Sequence, residues 1–558
     1  PLYQSLLATH QRIMQKDAST WGEQAAAEAA IRLNWVDLPQ SSRALLPELA
    51  ALSQKFSSHT RIVLCGMGGS SLGPEVIALT YQKEIFIFDS TDPEYAKKAI
   101  GTDLARTTVV VSSKSGSTIE TSSQRAIFEA AFRAADLDPL DHMVFVTDPQ
   151  SPLDQEVRKA GFTVVNADPH VGGRFSVLSA FGLVPSALIG APVEELLIDA
   201  ATEKDFMVKS PEVVIDTAYL LVTQSDQYIA FSDHGSSVPG LSDWIEQLIA
   251  ESTGKDGTGR LPIATSSLEP KAVGGAFTIA YGGTSGDLIV EGKLGAHFIF
   301  WEWVTALLGY ALKIDPFNQP NVTEAKEQTA ACLQEWNNQL PDLQPVNRSG
   351  HVEIFGDGQS LHDALATLIE SVADDGYIAI MAYLDRENDV KISELQSLLA
   401  IKSKRPVTFG WGPRFLHSTG QFHKGGPKNA LFLVITSDPE KDFSIPTEGL
   451  TFGTLIRAQD NRATVPLAGL VQPRIEPEIC FGLKARPPVT RDPQKLLAAI
   501  EWIAHSVEIV QCHHPEWKLA LPDGTADNGL HGRLGLGTPV EASRISGLAA
   551  ALPFLKVT

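Results

Sequence analysis

The chain of 558 residues carries 45 Lys and Arg against 66 Asp and Glu, a formal charge of −21, and such a field repels nucleic acid and anionic lipid over most of a surface. Hydrophobic residues at 43% and charged residues at 20% exclude disordered and fibrous classes, and the length predicts about three to four domains. Cys65, Cys332, Cys480 and Cys512 show no CxxC spacing, which argues against a disulfide framework or structural zinc and fits a reducing cytoplasm.

The N-terminal stretch PLYQSLLATHQRIMQKDAST lacks a basic segment followed by an apolar one, and no run of about 18 apolar residues occurs, so we expect a soluble, untargeted protein with no membrane partner. Residues 1–55 place apolar positions at helical spacing, including Leu6, Leu7, Ile13, Ala27, Ala30 and Ile31. Strands and helices then alternate. The β-branched runs at 61–65, 84–90, 107–113, 142–148 and 162–168, separated by helical stretches such as 118–134, predict a parallel sheet covered on both faces in a first α/β domain, 56–199. A second, 200–340, has strands near 227–232 and 287–291 and a long apolar helix near 294–312. An additional α/β unit, 341–465, has candidate strands at 351–355, 377–383, 406–410 and 431–436. From about residue 466 the texture changes to Pro-rich VQPRIEPEICFGLKARPPVTRD, and we place a boundary there, giving a last segment 466–558.

Two glycine- and serine-rich turns follow apolar strands. VLCGMGGSSLGP presents Gly69 and Ser70 where a helix begins, and VVVSSKSGSTIETS presents Ser113, Lys114, Ser115 and Thr118. Backbone amides, hydroxyls and a cation at a helix start suit a phosphate monoester, whereas the bland reading is a tight turn with an ordinary serine cap. Two such turns at the carboxyl edge of one sheet favour a ligand. Neither is a Walker A motif. In VGGRFS, Arg174 stands ready either for an anionic transition state or for a surface ion pair. In WIEQLIAESTGKDGTG, Gln247 and Glu251 lie four apart on one helical face, where a desolvated carboxylate can serve as a base.

In this order, GMGGSSLGP, SSKSGSTIET, VGGRFS, EQLIAESTGKDGTG and DPFNQPNVTEAK resemble the phosphoglucose isomerase family over roughly residues 55–335. The resemblance implies an α/β protein with two sugar-isomerase (SIS) domains, flavodoxin-like doubly wound parallel sheets, acting as an aldose–ketose isomerase. It would interconvert glucose 6-phosphate and fructose 6-phosphate through a cis-enediolate, with no cofactor. It further implies Gly69, Ser70, Ser113, Lys114, Ser115 and Thr118 as the phosphate cradle, Glu251 as the proton shuttle and Gln247 as its neighbour. Arg174 would stabilise the enediolate and Lys326 would assist ring opening.

One departure concerns a histidine that the family places between that base and that lysine. The interval 252–325 holds only His297, embedded in the apolar HFIFWEW and expected to face the core. The later segment FGWGPRFLHSTGQFHKGGP, 409–427, resembles the C-terminal part of fused transaldolase/phosphoglucose isomerases, and we favour His423 over His417 as the ring-opening acid/base. A transaldolase barrel needs about 250 residues and about 55 precede the first strand, so no such barrel is expected here.

The last segment, through VQPRIEPEICFGL, HSVEIVQCHHPEWK and TADNGLHGRLGLGTP, resembles a β-rich fragment of the fumarylacetoacetate-hydrolase superfamily, nearest the 2-oxopent-4-enoate hydratases, as if joined by fusion. That resemblance implies Mg2+ or Mn2+ on Glu476, Glu478 and Glu508, and hard oxygen ligands suit such ions. Two alternatives to the isomerase stay open: a sugar-phosphate-binding SIS regulatory module, and a metal-dependent hydratase or decarboxylase in the last segment. Homo-oligomerisation and use of mannose 6-phosphate are not legible in one chain.

Overall fold

The run TTVVVS is buried at every position, Thr107–Ser112, as a strand must be when both faces of its sheet are covered by helices. Each valine removed from water contributes about 1.5–3 kcal/mol. Its sheet is built from β1 (Arg61–Cys65), β2 (Phe86–Phe88), β3 (Thr107–Ser112), β4 (Met143–Thr147) and β5 (Thr163–Asn166). All pairs are parallel, in the order β2-β1-β3-β4-β5. That order is doubly wound, and its switch point lies between β1 and β3, where ligands bind in such sheets.

The computed structural model describes residues 1–282, 285–335 and 344–437, and in the last stretch 454–457, 474–485, 495, 498–510, 531–536 and 540–542. The chain divides into two units, Pro1–Ile445 and Pro446–Thr558. Within the first unit a second parallel sheet contains β6 (Tyr228–Ser232), β7 (Leu261–Ala264), β8 (Phe277–Ala280) and β9 (Leu288–Ile289), ordered β7-β6-β8-β9. Strands β7 and β8 escape the sequence pattern. Both are four residues long, and Pro262 and flanking glycine-rich loops hide their strand character.

A hairpin of β10 (Asn347–Ser349) and β11 (Val352–Ile354) precedes a third parallel sheet. Here β12 (Tyr377–Tyr383) lies between β13 (Val407–Trp411) and β14 (Ala430–Thr436). This sheet packs on the second: Tyr377, Ala379 and Phe422 share a core with Ala250, Leu261 and Ile263, and Gln396 Nε2 bridges the carbonyls of Ala264 and Val407 at 2.9 and 3.1 Å.

The N-terminal helices bury Leu6 and Ile13 completely, and Trp21 donates its indole N–H to the Ala306 carbonyl at 3.0 Å. That carbonyl belongs to the helix Leu294–Ala311, buried along almost its whole length. Its neighbours cover it on every side, which explains why it is apolar all round. His297 is 3% exposed there, edge-on to Tyr281, and burial draws its imidazole down to about 4.

In the second unit the described strands are β15 (Thr454–Arg457), β16 (Arg474–Leu483), β17 (Ile500–Val510), β18 (His531–Leu536) and β19 (Val540–Glu541). They form a sheet ordered β15-β18-β17-β16 with β19 beside β17. The pairings are antiparallel apart from β15 with β18.

Candidate active site

Because β1 and β3 are neighbours, the turns that follow them stand side by side at the switch point. The first, Gly68–Ser70, is a single 3-10 turn leading into the helix Leu72–Thr80. Two glycines there are obligatory for space. A Cβ on Gly69 would stand 2.1 Å from the Gly173 carbonyl oxygen, and one on Gly68, at φ +56°, would stand 2.5 Å from the His417 carbonyl oxygen. The turn is therefore wedged between the arginine loop and a loop of the third sheet.

In the second turn Ser113 is buried and its Oγ accepts from Gly116 N at 3.1 Å. Ser115 and Ser117 are exposed and hydrogen-bonded to each other at 2.7 Å. Thr118 is the N-cap of the helix Ile119–Ala134, and its hydroxyl makes no capping bond. Ser70 is half-buried across from them. Lys114 is turned aside: its ammonium pairs with Asp148 at 2.6 Å and donates to the Pro169 carbonyl at 3.2 Å.

The helix Leu241–Thr253 carries Gln247 and Glu251. Glu251 is 5% exposed, and burial raises its carboxyl above the ordinary range while Arg174 and other neighbours pull the other way. Arg174 Nη1 reaches Glu251 Oε2 at 3.3 Å. The rest of the guanidinium donates to the carbonyls of Pro316 (3.3 and 3.0 Å) and Asn318 (3.1 Å), which fixes its plane. Gln247 Nε2 donates to Glu251 Oε2 at 3.3 Å and to the His417 carbonyl at 2.9 Å. Its buried Oε1 has no donor among the described residues.

The two histidines of the 409–427 segment stand in different surroundings. His423 Nδ1 is 2.8 Å from the Tyr377 hydroxyl, and its ring lies between Tyr377 and Phe432. Burial there pulls its imidazole down to about 3. His417, six residues earlier, lies beside Gln247 and Glu120. Its Nε2 lies 3.0 Å from Glu120 Oε1, on the first turn of the helix after the serine-rich turn, and its carbonyl accepts from Gln247. The reason is the direction of the short turn Arg414–His417, after which the chain folds back under the third sheet as the helix Gly420–Gly425.

Two further residues of the site were passed over in the sequence. Glu120 lies inside SSKSGSTIET, and Lys255 inside ESTGKDGTG, so the motifs themselves were the signal. Lys255 is 2% exposed and donates to the Asp315 carbonyl. Burial, then Arg174, draws its ammonium well below the usual lysine range. Lys326 belongs to the helix Pro320–Glu335, which starts beside the Asn318 carbonyl held by Arg174; its side chain lies outside the described residues. The side chains of Glu476, Glu478 and Glu508 also lie outside them. Strand register sets Glu476 opposite Glu508, and Glu478 opposite Ser506. Among the described residues no group of three His, Cys, Asp or Glu could hold a metal, and no helix is long and apolar enough to cross a membrane.

Residues 51–258 match the family model for phosphoglucose isomerase. A glucose-6-phosphate isomerase of Campylobacter jejuni is 32% identical over 232 residues, covering 40% of this chain and 57% of that one. One from Thermus thermophilus is 32% identical over 237 residues, covering 41% and 57%. The chain thus spans little more than half the length of these relatives. A solved structure of a hypothetical protein from Thermus thermophilus superposes with a TM-score of 0.51 at 23% identity, covering 59% of this chain and 94% of that one, which establishes the shared α/β fold. The comparisons lend no support to a hydratase-like second unit.

Proposed function

We propose that the first unit is an aldose–ketose isomerase that interconverts glucose 6-phosphate and fructose 6-phosphate. The observation that carries this reading is the buried Glu251 carboxylate held between Arg174 and Gln247, beside the Glu120–His417 pair and the two serine-rich turns. A module that merely bound sugar phosphates would need the turns but not a desolvated base on an arginine.

In this mechanism the phosphate rests on the Gly69–Ser70 turn and on the hydroxyls of Ser113, Ser115 and Thr118, with Lys114 supplying positive charge from its Asp148 pair. His417, oriented by Glu120, passes a proton to the ring oxygen as the anomeric C–O bond breaks, and the anomeric hydroxyl gives its own proton to water, from which His417 is reprotonated. Lys326 keeps the ring-opening part that the resemblance gave it. Glu251 then removes the proton at C2 of the aldose and returns it at C1 while the C2 hydroxyl proton passes to the C1 oxygen, and Arg174 stabilises the negative charge that develops on the enediolate oxygens. A raised carboxyl suits a base that must both take and return a proton.

A coupled assay of the purified chain tests the reading. We expect turnover of fructose 6-phosphate, and in Glu251→Gln a loss of at least about a thousandfold in kcat with sugar-phosphate binding retained, since the amide keeps the shape and loses the basicity. A Glu251→Gln enzyme within about tenfold of the parent would place the base elsewhere.

A further inference from the structure

Four charged side chains from two sheets meet in one buried cluster. Glu75 sits in the first turn of the helix Leu72–Thr80, just after the Gly68–Ser70 turn, and Asp89 follows β2 at the edge of the first sheet. Arg386 lies in the loop after β12, and Arg414 opens the turn after β13. Arg386 Nη1 is 3.2 Å from Glu75 Oε1 and 3.7 Å from Asp89 Oδ1. Arg414 pairs with the other oxygen of Glu75, and its Nε is 3.4 Å from Asp89 Oδ2. Their side chains are between 2 and 22% exposed. Both carboxylates thus face both guanidiniums, and the cluster is neutral as a set. Burial alone would raise Glu75, but Arg414 and Arg386 overcome it and hold the carboxyl at about 2.

The same seam has further ties. Arg386 Nε donates to the Tyr95 hydroxyl at 2.9 Å, Lys98 pairs with Asp385 at 2.7 Å, and Ser90 bridges to Pro413. Ionic clusters like this are seldom the most stabilising way to fill buried space, because desolvation offsets most of the attraction. What they do well is to define one arrangement. Here that arrangement has an obvious beneficiary. Arg414 and His417 are the first and last residues of one 3-10 turn, and in such a turn residues three apart lie over one another. Anchoring Arg414 on Glu75 therefore sets where the imidazole stands relative to Glu120 and the Gly68 turn.

We propose that Arg414 is a positioning residue, and that the Glu75–Asp89–Arg386–Arg414 cluster docks the third sheet so that its 414–417 turn delivers His417 to the sugar-phosphate site. This rests on the isomerase reading above. The third sheet then acts as an arm that supplies the ring-handling group, and the cluster sets its reach.

The test separates ring opening from proton transfer. Fructose 6-phosphate must be opened, whereas 5-deoxyfructose 6-phosphate lacks the hydroxyl that closes the ring and needs only the exchange of its C1 proton by Glu251. In Arg414→Met we expect kcat/KM on fructose 6-phosphate to fall by about tenfold to a hundredfold while exchange on the 5-deoxy compound stays within about twofold. Arg386→Met should show the same split more weakly, and Lys98→Met, which loosens the seam without touching the four-charge cluster, should show none. Equal loss on both substrates, or no loss on either, overturns the proposal. Should Arg414→Met fail to fold, Arg414→Lys decides the matter: it keeps the charge and loses the two-sided geometry, so a split supports the proposal and its absence refutes it. A parent enzyme inactive on both compounds would instead overturn the isomerase reading.

Discussion

Arg174 Nη1 lies 3.3 Å from Glu251 Oε2, with the two side chains 2 and 7% exposed. Burial pushes the carboxyl up and the guanidinium pulls it down, and the net direction is upward. A base with a raised pKa loses its working form at a higher pH than an ordinary carboxylate, so the acid limb of kcat/KM should lie above the ordinary glutamate range. Removing the guanidinium in Arg174→Ala takes away the downward pull. We expect that limb to move further up in pH and kcat to fall by about a hundredfold or more, as the developing oxyanion also loses its donor. A pH–rate profile of both proteins checks this, and an acid limb that stays in place would separate the two residues functionally.

The two histidines of the 409–427 segment should behave oppositely. His417→Ala should lose activity on fructose 6-phosphate yet keep proton exchange on the 5-deoxy compound. His423→Ala should keep both, and instead lower stability by about 1–3 kcal/mol because the buried Tyr377 hydroxyl loses its partner. Thermal melts beside the two assays distinguish them.

Neighbouring glycines offer a steric test of the turn proposed to hold the phosphate. Gly69→Ala would place a methyl 2.1 Å from the Gly173 carbonyl oxygen, whereas a Cβ on Gly173 meets nothing within 4 Å. Gly69→Ala should therefore raise KM for the sugar phosphate by at least about tenfold, because the turn must back away from the arginine loop. Gly173→Ala should stay near the parent value.

At Glu246 we expect a pH dependence of stability that is separate from the proposed chemistry. Burial first, and the neighbouring Asp243 second, raise its carboxyl from 4.5 to about 8. A group whose folded-state pKa is raised contributes fully below its unfolded value, and that contribution is lost as pH rises through the folded value. The parent chain should thus lose stability between about pH 5 and pH 9, and Glu246→Gln should flatten that slope, with the gap between them widest at the alkaline end. Denaturation midpoints across that range measure it; parallel curves would show that Glu246 titrates normally.

The sequence by itself determined the strands of the first sheet and the helix that bears Gln247 and Glu251. Runs such as TTVVVS, and apolar residues at helical spacing, state their structure within a few residues. It also determined the order of the glycine- and serine-rich turns, because each turn's backbone demands are local. Strands β7 and β8 were hidden because four residues around a proline carry too little pattern, and only pairing with β6 makes them strands. The third sheet's contribution to the site was legible as a glycine-flanked segment with two histidines, but not which histidine. His417 and His423 are six residues apart in similar company, and nothing local tells them apart. What separates them is long-range: Arg414 is drawn to Glu75, 339 residues away in sequence, while His423 is held under β12 by Tyr377. Side-chain direction at a loop is set by what the loop docks against, and those partners come together only when the sheets pack.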